Sequence, residues 1–218
     1  MRRLVIGLAA VAMLVGAGCS GSGSGPLSSS DPKEVVKQAA ASAGDERAVE
    51  RVAPLVRDQD AQTAAAAIVA LSRMPSPKAC ETLRQVVATD QRPEVRRAAV
   101  VGLAQRTEPA AAEALRDTLT RDQAAEVREE AAQGLARVGT IDDVSVLANA
   151  AGRETNPKVA QSEVQVMGRL LGVKFPPPDP KLSPEQRKEH LQRARTTAVR
   201  LAEMRKNGIP AGGCKHNQ

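Results

Sequence analysis

A ten-residue segment returns without a gap every 32 positions along the middle of this chain. Val95-Arg96-Arg97-Ala98-Ala99-Val100-Val101-Gly102-Leu103-Ala104 aligns with Val127-Arg128-Glu129-Glu130-Ala131-Ala132-Gln133-Gly134-Leu135-Ala136. The same step leads back to Thr63–Leu71 and forward to Val159–Gly168. Leu83, Leu115 and Leu147 keep it, as do Asp58, Asp90, Asp122 and Glu154. One unit of this length cannot bury its own apolar side. Copies must therefore stack on one another and share a continuous core.

Each copy reads as two helices. The first is short, as over 77–88 or 108–119. The second follows an acidic turn and buries Val95, Ala98, Ala99, Gly102 and Leu103, the i, i+3, i+4, i+7, i+8 pattern of one helix face. Pro93 and Pro157 fall where a first helical turn tolerates proline. A less regular copy is expected over Asp31–Arg57, with Val35, Val36, Ala39 and Ala40 on one face and Val49, Val52, Leu55 and Val56 on another. Composition agrees. There is no Trp or Tyr and one Phe, Phe175, among 218 residues. A core of Ala, Val and Leu needs close backbones, which helices provide and sheets built on aromatics do not.

On these residues the chain resembles the HEAT-repeat proteins, in the short-repeat class that includes the phycobilin lyases. The resemblance spans about 31–174. It implies an all-α fold, a right-handed α-solenoid of stacked antiparallel helix pairs with four to five repeats. It also implies a structural ladder, in which an Asp ending each first helix pairs with an Arg six residues later. The pairs expected are Asp90 with Arg96 and Asp122 with Arg128. Asp58 meets Ala64 and Glu154 meets Ala160, so the ladder is expected only in the middle. Exposed pairs of this kind contribute about 0–1 kcal/mol each. Second helices line the inner face in that family. A partner groove is therefore expected on Arg97, Val101, Glu129, Gln133, Gln161 and Gln165, with Ala65, Val69 and Ser72 in the earlier copy. A solvated helix face is the plainer alternative for any one of these residues.

The start of the chain reads as an address. Met1-Arg2-Arg3 precedes a 15-residue apolar run, Leu4 to Gly18, too short to span a membrane comfortably. Ala17-Gly18-Cys19 resembles a bacterial lipoprotein signal, although Gly16 departs from the Leu usual there. The resemblance implies cleavage before Cys19 and lipidation of Cys19, hence an exported protein anchored in the cell envelope. Ser20 in place of an Asp favours the outer membrane where a host has two. The boundaries expected are a signal peptide over 1–18, a flexible Gly/Ser tether over 19–30 and the solenoid over 31–174. Past it come a Pro-rich linker over 175–182, a basic helix over 183–206 and a disordered tail over 207–218.

Phe175-Pro176-Pro177-Pro178 ends the repeats, with Phe175 expected to plug the last one. Ser183, Pro184 and Gln186 form a helix start with a capping box. Leu191, Ala194, Ala198 and Leu201 give the following helix a narrow apolar stripe. Residues 181–218 hold nine Lys/Arg against three acids, so this stretch alone nets +6, equal to the formal charge of the whole chain. This helix is expected to cap the solenoid; gripping an anionic surface is the alternative.

Catalytic signatures are missing. The two His, His190 and His216, cannot supply the His-Glu sets of HEAT-like hydroxylases. Cys214 and His216 are too few for a tetrahedral metal site. Cys80 reads as a small core residue, with a Cys80–Cys214 disulfide left open. No phosphate loop or nucleophile elbow occurs. No cofactor, metal or nucleic-acid partner is expected. The leading expectation is a non-catalytic envelope lipoprotein, a protein–protein interaction scaffold working through its inner groove. The alternatives are a lyase-type enzyme or subunit resembling bilin lyases, and a binder of an anionic envelope polymer through the basic helix.

Overall fold

A computed structural model describes residues 32–41 and 46–208. The leader, Cys19, the tether, Cys214 and His216 lie outside the described residues. Among those described, all regular structure is helical. The helices are α1 (Pro32–Ala41), α2 (Glu46–Val52, continued by a 3-10 turn Ala53–Arg57), α3 (Ala61–Arg73), α4 (Pro77–Thr89) and α5 (Pro93–Leu103). They continue as α6 (Pro109–Arg121), α7 (Ala125–Val138), α8 (Asp143–Arg153), α9 (Pro157–Leu171) and α10 (Pro184–Lys206). None of them is long and apolar enough to cross a membrane.

The helices start where local chemistry satisfies their first N–H groups. Proline opens α4, α5, α6, α9 and α10, where a missing donor costs nothing. Asp60 caps α3 by accepting from the Gln62 and Thr63 amides, and Asn156 caps α9 through the Lys158 amide. Helix α9 ends at Gly172, whose φ of 60° suits glycine. The Val173 amide bonds back to the Gly168 carbonyl and the Gly172 amide to that of Arg169, a Schellman closure.

Packing sorts the helices into two rows. Helix α4 packs on α5, α6 on α7, α8 on α9, and the 3-10 turn on α3. Second helices meet in the series α1, α3, α5, α7, α9, and first helices in the series α2, α4, α6, α8. The second-helix row is the more closely packed, so the stack bends toward it and that row forms the concave side. Gly102 and Gly134 allow the close approach. A Cβ on Gly102 would lie 3.2 Å from the Ser72 Cβ, and one on Gly134 3.1 Å from the Ala104 Cβ.

The segment before residue 58 differs from the expected first copy. Helix α1 packs on α3 as a second helix, whereas α2 and its 3-10 turn act as the first helix for α3. The segment therefore straddles two repeats, and among the described residues the array begins with a second helix. Its two apolar faces are real, with Val35, Val36, Val49, Val52 and Val56 buried, but they serve different repeats.

The core runs the length of the stack. Leu83, Leu115 and Leu147 are fully buried, as are Leu71, Leu103, Leu135 and Met167 on the second helices. In α5 the buried set is Val95, Ala99, Val100, Gly102 and Leu103, while Ala98, expected on this face, is half-buried. The stripe is wide because α5 touches its partner first helix α4 and the second helices α3 and α7 on either side. Arg106, 5 % exposed, seals the turn between α3 and α4 by donating to the carbonyls of Leu71, Met74 and Ser76.

Helix α10 closes the far end, packing on both α8 and α9. Ser183 and Gln186 form the capping box. Ala198 and Ala202 are buried, with Leu191, Ala194, Val199 and Leu201 packed beside them. Lys206 reaches Asp142 at 2.5 Å. Phe175 sits against Gly168, where an added Cβ would stand 2.7 Å from the Val173 carbonyl oxygen and 3.1 Å from the Phe175 ring.

Candidate functional site

The second helices expose one residue row per turn along the concave side. Positions 69, 101, 133 and 165 carry Val69, Val101, Gln133 and Gln165, one per repeat. Val69 is 48 % exposed, the large apolar side chain most open to solvent among the described residues, and Val101 is half-buried. The neighbouring row carries Ala65, Arg97, Glu129 and Gln161. Glu129, Gln161 and Gln165 are half-buried and make no side-chain hydrogen bond among the described residues. The surface thus grades from apolar at α3 to amide-rich at α9.

Several polar groups on this side are already tied to the next repeat. The Arg97 Nε donates to a Glu130 carboxylate oxygen at 3.0 Å. Gln133 donates to the Ser162 hydroxyl at 2.7 Å and accepts from Arg169 at 3.1 Å. Gln133 is therefore a clamp between α7 and α9 more than a free contact. Glu130, Ser162 and Arg169 belong to the site without having been expected from the sequence. Their signal was a spacing close to the period: Arg97 and Glu130 lie 33 apart, Gln133 and Ser162 lie 29 apart.

The ladder exists with a different register. Arg96 contacts its own repeat through backbone carbonyls, those of Asp90 at 3.0 Å and Gln91 at 3.1 Å. Its fork goes forward to Asp122, with both bonds at 2.8 Å. Arg128 likewise takes the Asp122 carbonyl at 2.8 Å and forks onto Glu154 at 2.7 and 2.9 Å. The expected side-chain pairs, Asp90 with Arg96 and Asp122 with Arg128, are thus replaced by Arg96 with Asp122 and Arg128 with Glu154. The cause lies in the turn. Each acid spends one oxygen on an amide two residues on, Asp90 on Arg92, Asp122 on Ala124 and Glu154 on Asn156, all at 2.9 Å. That fixes the carboxylate facing the preceding repeat. Position 64 is Ala, so Asp90 receives no such Arg; Arg92 folds onto it instead and donates to the Asp58 carbonyl at 2.7 Å.

These pairs are not surface pairs. The Asp122 and Glu154 side chains are 6 % and 3 % exposed. Burial pushes the Asp122 carboxyl upward, but the Arg96 fork and the Ala124 amide outweigh it and leave it lowered. The Arg128 bonds lower Glu154 despite its burial. Beyond the ladder's end lies Glu163, fully buried, whose two oxygens accept no hydrogen bond from any described residue. Burial, with Glu154 nearby, raises its carboxyl to about 8.

Cys80 is buried in α4, and burial raises its thiol. No group of three or more His, Cys, Asp or Glu among the described residues could hold a metal ion.

Comparison with known proteins gives the chain its family. The model of HEAT repeats matches residues 27–104 and 81–168, well over half of the chain. No curated protein sequence matches it significantly. Among solved structures, human deoxyhypusine hydroxylase in complex with glycerol aligns at 17 % identity over 81 % of this chain and 82 % of that one. Its TM-score is 0.39, a likeness that carries no inference about activity. With the family model lying over the same helix pairs that form the stack, this chain belongs to the HEAT-repeat proteins.

Proposed function

We propose that this protein is a non-catalytic scaffold of the bacterial cell envelope that holds a protein or peptide partner along its concave second-helix row. HEAT repeats suit a scaffold or protein-interaction role. The observation that carries the reading is the row itself. It grades from exposed Val69 through Val101 to Gln165, and Gln133 within it, with Arg97 beside it, is held in place by bonds between repeats. A pre-ordered face of this kind binds with little loss of side-chain freedom. Anchoring through a lipid on Cys19 rests on the residues around that cysteine, and the Gly/Ser stretch after it would let the stack reach away from the membrane.

Photo-cross-linking in the native envelope tests the groove. A reactive residue at Val69, Val101 or Gln165 is expected to trap one discrete partner, and one at Glu113 or Asp117 on the outer row is expected to trap none. Trapping only from the outer row would contradict the proposal. For the anchor, Cys19→Ser is expected to abolish incorporation of labelled fatty acid and to release the protein from membranes. Unchanged labelling would remove Cys19 from the account.

A further inference from the structure

The closed end of the stack carries a second surface, unlike the first. Between the end of α8, the start of α9 and the first half of α10 lies a cleft of about 820 Å³. Five cations line it: Arg153, Lys158, Arg187, Lys188 and Arg195. None of the five forms an ion pair among the described residues; Arg153 bonds a carbonyl in its own helix and Arg195 bonds Gln192. The one carboxylate in the lining, Glu154, is already held by the Arg128 fork. Gly152 leaves room for Arg195, since a Cβ there would fall 1.8 Å from a guanidinium nitrogen. Unneutralised like charges gathered around a concavity raise the local concentration of anions.

We propose that this cleft binds an acidic peptide segment of a partner protein, one with apolar side chains among its carboxylates. Apolar contact in the cleft falls to Leu191, which is half-buried, and to the exposed Pro157 and Pro184. These separate contacts suit single apolar side chains and not an acyl chain, because Ala160 and Val164 between them are only 7 % and 3 % exposed and add no continuous apolar surface. An oriented phosphate is also disfavoured. The Lys158 and Gln186 amides at the two helix starts are already taken by Asn156 and Ser183, so no ring of free N–H groups awaits an oxyanion. Recognition then falls to long cationic side chains, which follow a flexible acidic strand. The cleft meets the concave row at Gln161, which lines both, and the cleft variants below leave that residue unchanged.

Fluorescence anisotropy with the full chain tests it, using a labelled peptide that alternates Glu and Leu. The triple variant Lys158→Glu, Arg187→Glu, Lys188→Glu places acids near helix N-termini, where the dipole favours them, so the fold is retained. It is expected to weaken binding at least tenfold, with an unchanged circular-dichroism spectrum. The equal charge change Arg57→Glu, Arg73→Glu, Arg137→Glu, made away from the cleft, is expected to leave binding within about twofold. A Glu/Ser peptide of the same charge is expected to bind several-fold more weakly than the Glu/Leu peptide. Equal losses in the two triple variants, or none in either, would overturn the site. Tighter binding of inorganic polyphosphate or of phosphatidylglycerol vesicles than of the peptide would overturn the ligand class.

Discussion

Glu163 occupies a slot that the three preceding repeats fill with Ala67, Ala99 and Ala131, all fully buried. A carboxyl there, without a hydrogen-bond donor, folds as the neutral acid up to about pH 8. Its unfolded counterpart loses the proton near pH 4.5. Between those limits the unfolded state binds fewer protons, so stability falls as pH rises. Asp122 and Glu154 work in the opposite sense. Their carboxyls are lowered in the fold, so their contribution is present above the ordinary carboxylate range and is lost as pH falls through their folded values. Thermal stability is therefore expected to peak near pH 4.5–5. Glu163→Met should remove the decline on the alkaline side and raise stability at pH 8 by roughly 3 kcal/mol, with little effect at pH 4.5. Melting curves at the two pH values check this; an equal loss at both would contradict it. Removing Arg96 strands a buried Asp122, so Arg96→Met is expected to cost about 3 kcal/mol at pH 7, against well under 1 for Lys37→Met in an exposed pair.

At the scale of elements, period and helix faces were legible because each repeat solves the same packing problem with the same residues. The second helix of each unit and the start of α10 at Ser183 follow directly from spacing and capping chemistry. The ladder register was not legible, because the family resemblance implied the acid six residues before each Arg. Only the turn geometry, which aims each carboxylate at the preceding repeat, reveals the partner 26 residues off. The opening of the array was equally hidden, since α1 and α2 show the right faces but not which neighbour each face meets. The concave row could be named from the repeat, whereas the bonds of Gln133 and the cleft under α10 depend on helices brought together by the fold. Helix α10 covers apolar surface of the last repeat. Ending the chain at Leu182 is expected to lower the melting midpoint by roughly 5–10 °C, about 2–3 kcal/mol for a chain of this size. An unchanged midpoint would mean that α10 does not cap.

At the scale of the whole molecule, contacts run only between neighbours, so order is strongest in the middle and weakest at the ends. Hydrogen exchange is expected to be slowest in α5 and α7, which have second helices on both sides, and fastest in α1, which has one. Uniform protection would contradict a quasi-one-dimensional array. The concave row of second helices is proposed as the surface that meets the partner. Pull-down of the cross-linked partner, repeated with two triple variants, decides between that row and the outer one. Val69→Glu, Arg97→Glu and Gln165→Arg together are expected to abolish capture, while Glu113→Arg, Asp117→Arg and Arg121→Glu on the outer row leave it intact. Capture that survives the first set and fails with the second would place the working surface on the convex side.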